Sequence, residues 1–380
     1  MVFIVQQANN FCPAPWVGMY YHSNAASPCC TMKTMNYSPK EYLESKWLSD
    51  LKQQFLENKK PLECNSCWFR EQKGLKSIRN HFVNKFANVN LQTTEVKHLE
   101  LRESNLCNFA CRMCNPTDSV KLERELEEYP ELNQFYRPNH KKSITDHNWN
   151  EIFETCKGLK SLTLTGGEPM LMKRYYELLD YLIDIGQHET LLLKIYTNCS
   201  VFNPLFNEKL VKFKRAQINM SIDAVGKTAE YQRYGTKWDD VRENIFKFIQ
   251  LPIETKIHST ISAYSILDIS SLAKFFIELK SYPNKGMKLA EFTTHVVKDP
   301  SPLCFVNLNH DLRMKAIEQI DIALNELQGE FFLLYNKELI SIRKQLLLNQ
   351  PNDFAGFVAM TKALDTARKQ SFEEVFGYKI

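Results

Sequence analysis

The sequence has no real excess of charge: 48 lysines and arginines stand against 44 aspartates and glutamates, a formal +4 over 380 residues. That balance is too weak for an electrostatic footprint on nucleic acid or an anionic membrane. No apolar run approaches the roughly 18 residues that span a bilayer. The opening Met-Val-Phe-Ile-Val-Gln-Gln lacks the positive start and small-residue cleavage site of a secretory signal. There is no internal repeat and no low-complexity tract. A 44% hydrophobic and 24% charged composition excludes disordered, collagenous and coiled-coil classes. What remains is a globular chain long enough for two to three domains, expected in the cytoplasm without a membrane.

Cysteine, by contrast, is plentiful. The eleven cysteines are odd in number, and seven of them fall in tight groups: Cys29 with Cys30, Cys64 with Cys67, and Cys107 with Cys111 and Cys114. A reducing compartment disfavours structural disulfides in a chain this size, so grouping points to metal or cluster ligation.

Periodicity divides the chain into three. Residues 1–90 are cysteine-rich, with a turn region at 23–28 and one helix over 42–57, where Leu43, Trp47, Leu51 and Phe55 recur at i+4. Residues 95–300 alternate strands at 96–103, 161–165, 191–197, 217–223, 254–262 and 288–297 with amphipathic helices, which predicts right-handed βαβ units. Along these strands Gln217, Asn219, Ser221 and Asp223 share one face while Ile218, Met220 and Ile222 share the other. His98, Glu100 and Arg102 alternate likewise with Leu99 and Leu101. An open parallel sheet covered on both sides is apolar on both faces, so the fold class expected is α/β, a partial (β/α)6 TIM-like barrel with a polar, ligand-holding lumen. Residues 301–380 read as a helical extension, with helices over 311–327 and 331–348 and no catalytic signature.

Two motifs carry chemistry. Asn105-Leu-Cys107-Asn-Phe-Ala-Cys111-Arg-Met-Cys114 follows the first barrel strand. Three cysteines at this spacing can hold three corners of a 4Fe-4S cube and leave the fourth iron open. A structural zinc would want a fourth ligand, and none lies close by in sequence. Gly166-Gly167-Glu168-Pro169 ends the second strand. Paired glycines let backbone approach a ligand closely, and Glu168 at a strand's carboxyl end suits a ligand ammonium.

With these residues, the region 95–300 resembles the radical S-adenosylmethionine (SAM) superfamily. The cysteine loop, Gly-Gly-Glu-Pro, Tyr196-Thr197-Asn198 and Ser221-Ile222-Asp223 occur in that family's order. The resemblance implies a 4Fe-4S cluster on Cys107, Cys111 and Cys114, whose open iron chelates SAM. It also implies Gly166, Gly167 and Glu168 at the SAM ammonium, and Asn198, Ser221 and Asp223 as ribose or carboxylate contacts. Cys199 departs from the pattern, standing where relatives commonly have glycine. The activity implied is reductive cleavage of SAM to a 5′-deoxyadenosyl radical, which abstracts a hydrogen atom from a peptide or carbohydrate-type substrate. A flavodoxin or ferredoxin is the implied electron donor.

Residues 1–90 add a narrower resemblance, to the twitch and SPASM modules that hold auxiliary iron-sulfur clusters, here preceding the barrel where they usually follow it. The implied ligands are Cys12, Cys29, Cys64 and Cys67, with Cys30 as the substitute for Cys29, and the implied consequence is net oxidation of substrate. A zinc ribbon satisfies the same four cysteines equally well. Two other classes stay open: a zinc-containing binding module on a non-catalytic barrel, which would lack a catalytic cysteine or Glu168, and a nucleic-acid-modifying radical enzyme, which would want a basic aromatic groove. Of the remaining groups, Cys156 and Cys304 read as packing residues, His258 and His295 as hydrogen-bonded lumen histidines, and Lys73, Lys76, Arg79 and Lys85 as a solvated helix face.

Overall fold

Alternation along the strands builds the architecture. The computed structural model describes residues 10–72, 76–88, 90–136, 148–282, 289–348 and 352–380. Its strands are β1 (Gly18–His22), β2 (Ala25–Ser27), β3 (His98–Arg102), β4 (Ala110–Cys111), β5 (Ser161–Thr165), β6 (Leu192–Thr197), β7 (Arg215–Ser221), β8 (Arg233–Tyr234), β9 (Glu254–Ile261) and β10 (Leu289–Val296). Eight form one sheet in the order β10-β9-β7-β6-β5-β3-β1-β2, and β4 pairs with β8. Within the large sheet every neighbouring pair is parallel except the β1–β2 hairpin. All six strands expected from periodicity are present: five are unchanged or trimmed by one or two residues at their ends, and the one expected at 217–223 lies two residues earlier, as Arg215–Ser221.

In β9, Thr255, Ile257, Ser259 and Ile261 are buried, while the residues between them are half-buried. In β6 the same holds for Leu193, Ile195 and Thr197. The buried faces meet helices that supply Leu178, Leu179 and Leu182 from Lys173–Asp184, Ile245 and Phe248 from Trp238–Phe248, and Leu272 and Phe276 from Ile269–Ser281. Each such side chain contributes about 1.5–3 kcal/mol by leaving water. The half-buried face lines a cavity of about 370 Å³ among Tyr20, Glu100, Thr163, Tyr196, His258 and His295. This is the polar lumen that the alternation predicts.

The N-terminal segment departs from expectation. β1 joins the large sheet beside β3, with Met19 opposite Leu99 and Tyr21 opposite Leu101. Ser23 and Asn24 turn the hairpin with φ of 51° and 54°, both in the left-handed region that tight hairpin loops require. The expected single helix over 42–57 is two, Pro39–Glu44 and Lys46–Leu56, because Ser45 caps the second by accepting from the Leu48 N–H at 3.2 Å. Around these helices Trp16, Leu51, Phe55, Trp68, Phe82 and Phe86 form a second, smaller core.

Residues 301–380 are helical as expected, with His310–Glu326 and Leu333–Leu348 followed by Phe354–Arg368 and Phe372–Phe376. The second helix starts at Leu333 because a tighter turn, Glu330–Phe332, precedes it. Among the described residues no helix is long and apolar enough to cross a membrane. The opening heptapeptide, Lys73 and the first residue of the expected 288–297 strand lie outside the described residues.

Candidate functional site

The three cysteines of the 107–114 loop gather where β3 ends. Cys111 lies on β4, opposite Arg233 of β8. The Cys114 N–H donates to the Cys111 carbonyl at 3.0 Å, and the Arg112 N–H to Gln232 O at 2.8 Å, fixing the loop's turn. Buried Asn105 ties the loop's start to its end, donating from Nδ2 to Pro116 O at 3.1 Å and to Glu123 at 2.8 Å. The three thiols lie within electrostatic reach of one another, and burial pushes Cys107 up to about 12 and raises Cys111 and Cys114. A positive centre placed among them would hold them as thiolates. All eleven cysteines are free. Among the described residues no group of three His, Cys, Asp or Glu stands at single-ion spacing; a cube-shaped cluster spreads its thiolates over its corners instead.

Gly-Gly-Glu-Pro is bonded directly to this loop. The Gly167 N–H donates to Ser104 O at 3.0 Å and the Glu168 N–H to Leu106 O at 2.8 Å. A Cβ on Gly167 would stand 2.2 Å from Leu106 O, and Gly166, at φ 119°, would meet Ser104 O at 2.8 Å. The paired glycines therefore admit the cysteine loop, where the sequence suggested a ligand. Glu168 is fully buried. Its carboxylate accepts from Thr197 Oγ1 at 2.9 Å, the Asn198 N–H at 2.7 Å and the Met170 N–H at 3.3 Å. Burial nonetheless holds its carboxyl up to about 7.

The remaining candidates divide. Asn198 Nδ2 points at Cys107 Sγ at 3.6 Å and Asn108 Oδ1 at 3.2 Å, so it touches a candidate cluster ligand. Cys199 adopts φ 61°, the conformation that glycine takes easily, with its thiol buried. Ser221 ends β7 half-buried, opposite His258. Asp223 is engaged within the protein: its Oδ2 takes Arg233 at 2.5 Å and its Oδ1 the Thr260 N–H at 2.7 Å. Arg233, held by Asp223, stands at this point too, and its charge reaches Cys107, Cys111 and Glu168. Sequence reading missed it, because β8 has two residues and no periodic signal.

Cys12, Cys29, Cys64 and Cys67 converge, lining one small cavity with Met32 and Phe55 among its walls. The space between them is about 10 Å³, roughly one water. Cys29 lines both this cavity and the lumen, whereas Cys30 lines the lumen without reaching the cavity, its thiol bonded to Glu100. His258 behaves as expected, with Nδ1 3.0 Å from Thr293 Oγ1 and its ring 4.6 Å from that of His295. Burial beside His295 lowers it to about 4. The expected solvated face fails at two positions. Arg79 is paired with Glu71 at 2.5 Å and stacked 5.0 Å over Trp68, and the Lys85 ammonium is buried.

Residues 104–266 match the model of the Radical SAM superfamily. The chain is 23% identical over 215 residues to the radical SAM cyclopropyl synthase TigE of Paramaledivibacter caminithermalis, covering 55% of this chain and 42% of that protein. Similar solved structures include anSMEcpe with bound AdoMet, at 16% identity and TM-score 0.43, covering 63% of this chain and 61% of that one. Another is Streptococcus suis SuiB bound to its precursor peptide SuiA, at 15% identity and TM-score 0.36, covering 70% and 54%. The chain thus spans under half the length of the curated relative it matches. Residues 104–266 are thus the part of the chain that is similar to the radical SAM superfamily.

Proposed function

We propose that the chain is a radical SAM enzyme that abstracts a hydrogen atom from a peptide or carbohydrate-type substrate held in the lumen. The observation that carries this reading is the hydrogen-bonded union of the Cys107, Cys111 and Cys114 loop with buried Glu168 at one end of a polar barrel. A 4Fe-4S cluster on the three thiolates, with SAM on its open iron, supplies a 5′-deoxyadenosyl radical when bound and reduced.

The chain's own residues hold and orient. Glu168, already the acceptor of Thr197, Asn198 and Met170, receives the SAM ammonium on its remaining lone pair. Arg233 keeps a fixed positive charge beside the thiolates, and Asn198 donates toward Cys107 Sγ. Tyr196, His258 and Thr163 face the substrate, while the segment carrying Cys29 and Cys30 covers the lumen and limits water. Cys12, Cys29, Cys64 and Cys67 would hold an auxiliary iron-sulfur cluster, which would supply an acceptor for a substrate electron and so make the net reaction an oxidation. A flavodoxin or ferredoxin of the cytoplasm supplies the reducing electron.

Anaerobic reconstitution tests both centres. Wild type should carry about eight iron atoms per chain, and the triple Cys107, Cys111 and Cys114 to Ala variant about four, if both are four-iron clusters. Wild type should form 5′-deoxyadenosine from SAM under dithionite. Equal production by the triple variant refutes the reading. One zinc and no iron in that variant refutes the auxiliary cluster and leaves the SAM site standing.

A further inference from the structure

One row of residues crosses the lumen wall at mid-height. Glu100, at the middle of β3, stands opposite Tyr20 of β1 on one side and Thr163 of β5 on the other. All three line the cavity of about 370 Å³. Tyr20 is 9% and Thr163 7% exposed, and among the described residues neither hydroxyl makes a hydrogen bond. Buried hydroxyls without a protein partner are left for whatever occupies the cavity. Glu100 accepts one bond, from the Cys30 thiol, which leaves most of its lone pairs open. The cation acting on Glu100 is Arg102, and Arg102 is itself paired with Asp118.

We infer that this row is a subsite for a primary ammonium group of the substrate, with Glu100 as its counter-ion and the hydroxyls of Tyr20 and Thr163 as flanking acceptors. An ammonium carries three donors and no acceptor, which matches a carboxylate set between two hydroxyls. The Tyr20 hydroxyl lies within electrostatic reach of Glu100, and so does Tyr196 on the far side of Thr163. The rest of the wall does not oppose a cation. Burial lowers His81 and His295 and brings His98 down to about 3 and His258 to about 4, so none is charged at neutral pH. The Lys194 charge acts on Lys85, His81 and His98. A neutral ligand would leave the Glu100 carboxylate facing an uncharged cavity, at a cost in free energy that an ammonium offsets.

The position restricts the ligand's shape. Two strand steps separate Glu100 from Arg102, so the nitrogen sits roughly 7 Å below the level where β3 gives way to the cysteine loop. The carbon that loses hydrogen is therefore several bonds from the nitrogen, as in a lysine side chain or an amino sugar. Reading the ligand as the substrate rests on the proposed radical chemistry; the ammonium site itself does not.

Thermal unfolding of the reconstituted chain without SAM, at ionic strength fixed with sodium chloride, tests the site. N-acetyl-lysinamide or glucosamine should raise Tm of the wild type by mass action, and their uncharged counterparts, N-acetyl-norleucinamide and N-acetylglucosamine, should not. The half-saturating amine concentration should rise about tenfold in Glu100→Gln, the scale of one charge-assisted hydrogen bond, and stay unchanged in the exposed control Glu208→Gln. Tyr20→Phe and Thr163→Val, which keep the carboxylate, should each raise it at least threefold. Tighter saturation by the lysine probe assigns a peptide source, and by glucosamine a carbohydrate one. Equal stabilisation by charged and uncharged forms, wild-type affinity in Glu100→Gln, or no response to either amine overturns the site. If Glu100→Gln does not fold, wild-type affinity in both hydroxyl variants overturns it. Amine binding by a chain that never cleaves SAM would overturn the proposed reaction and support the site. SAM cleavage by a chain that ignores both amines would overturn the site alone.

Discussion

Arg112 Nη2 donates to Asp365 Oδ1 at 2.5 Å, joining the cysteine loop to a helix 253 residues downstream. The guanidinium is fully buried, lies 3.6 Å from the Tyr231 ring centroid, and bonds to Gln370 at 2.9 Å and the Tyr231 carbonyl at 3.0 Å. Asp365 also accepts from Tyr231 Oη and the Phe372 N–H, each at 2.8 Å. Removing the carboxylate strands a buried cation. Asp365→Ala should cost about 3–5 kcal/mol in denaturant unfolding and lower the iron retained per chain. Asp365→Asn, which keeps an acceptor, should cost less. Equal stability of all three chains would show that the C-terminal helix does not brace the loop.

Gly167 and Gly186 make a controlled pair. A methyl on Gly167 meets backbone at 2.2 Å, whereas Gly186, at φ 72°, has nothing within 4 Å. Gly167→Ala should push the two loops apart and cut both cluster content and SAM affinity. Gly186→Ala should cost only about 1 kcal/mol of backbone strain, with normal iron and SAM binding. Iron analysis and SAM titration compare them; full iron in Gly167→Ala would contradict the close approach.

Asn198→Ala removes the donor aimed at Cys107 Sγ. Donors to cluster thiolates stabilise the more negative, reduced state, so its loss should shift the cluster potential downward. A redox titration followed by electron paramagnetic resonance reads this, and an unchanged potential means the contact does not persist around the cluster.

At Cys199 the left-handed backbone sets two substitutions against each other. Cys199→Ala keeps the unfavourable φ and loses the thiol's packing; Cys199→Gly loses the packing and relieves the φ. The glycine variant should be more stable than the alanine variant by about 1 kcal/mol. Chemical denaturation measures the difference, and a more stable alanine variant would rule out the strain.

Burial holds Glu168 up to about 7, above the ordinary carboxylate range. Between those limits the native chain keeps a proton that the unfolded chain has released, so this group's contribution to stability falls as pH rises through about 7. SAM binding has the opposite sign, because the ammonium binds the carboxylate form. Affinity should therefore strengthen with pH up to the α-amino pKa of about 7.7–8.0, where the ligand itself loses its charge. Glu168→Gln should flatten both profiles. Parallel pH slopes in the two proteins would remove Glu168 from the SAM site.

The strands were legible because one side of each faces helices and the other a polar lumen, leaving a period of two in Gln217 to Asp223. β1 left no such trace: four of its five residues are buried, so Gly18–His22 reads as undifferentiated apolar sequence. The four N-terminal cysteines could be grouped by count and spacing, yet the division between Cys29 and Cys30 depends on which way a short turn presents each thiol. Arg233 and Lys85 share a cause of invisibility. Each is a charged residue whose burial follows from tertiary packing alone, and local sequence reads such residues as solvated.

The pairing of β1 with β3 also orders events during synthesis. β1 ends at residue 22 and its partner begins at 98, so at about 5–20 residues per second the strand waits roughly 4 to 15 s for its neighbour to be made. Cys29, Cys64 and Cys67 all lie in the intervening stretch. These thiols are therefore made before β1 can pair with β3, and the ribosome-bound chain presents these ligands of the proposed auxiliary cluster to iron-sulfur assembly factors or to oxidants alike. Yield of folded protein should depend on which arrives first.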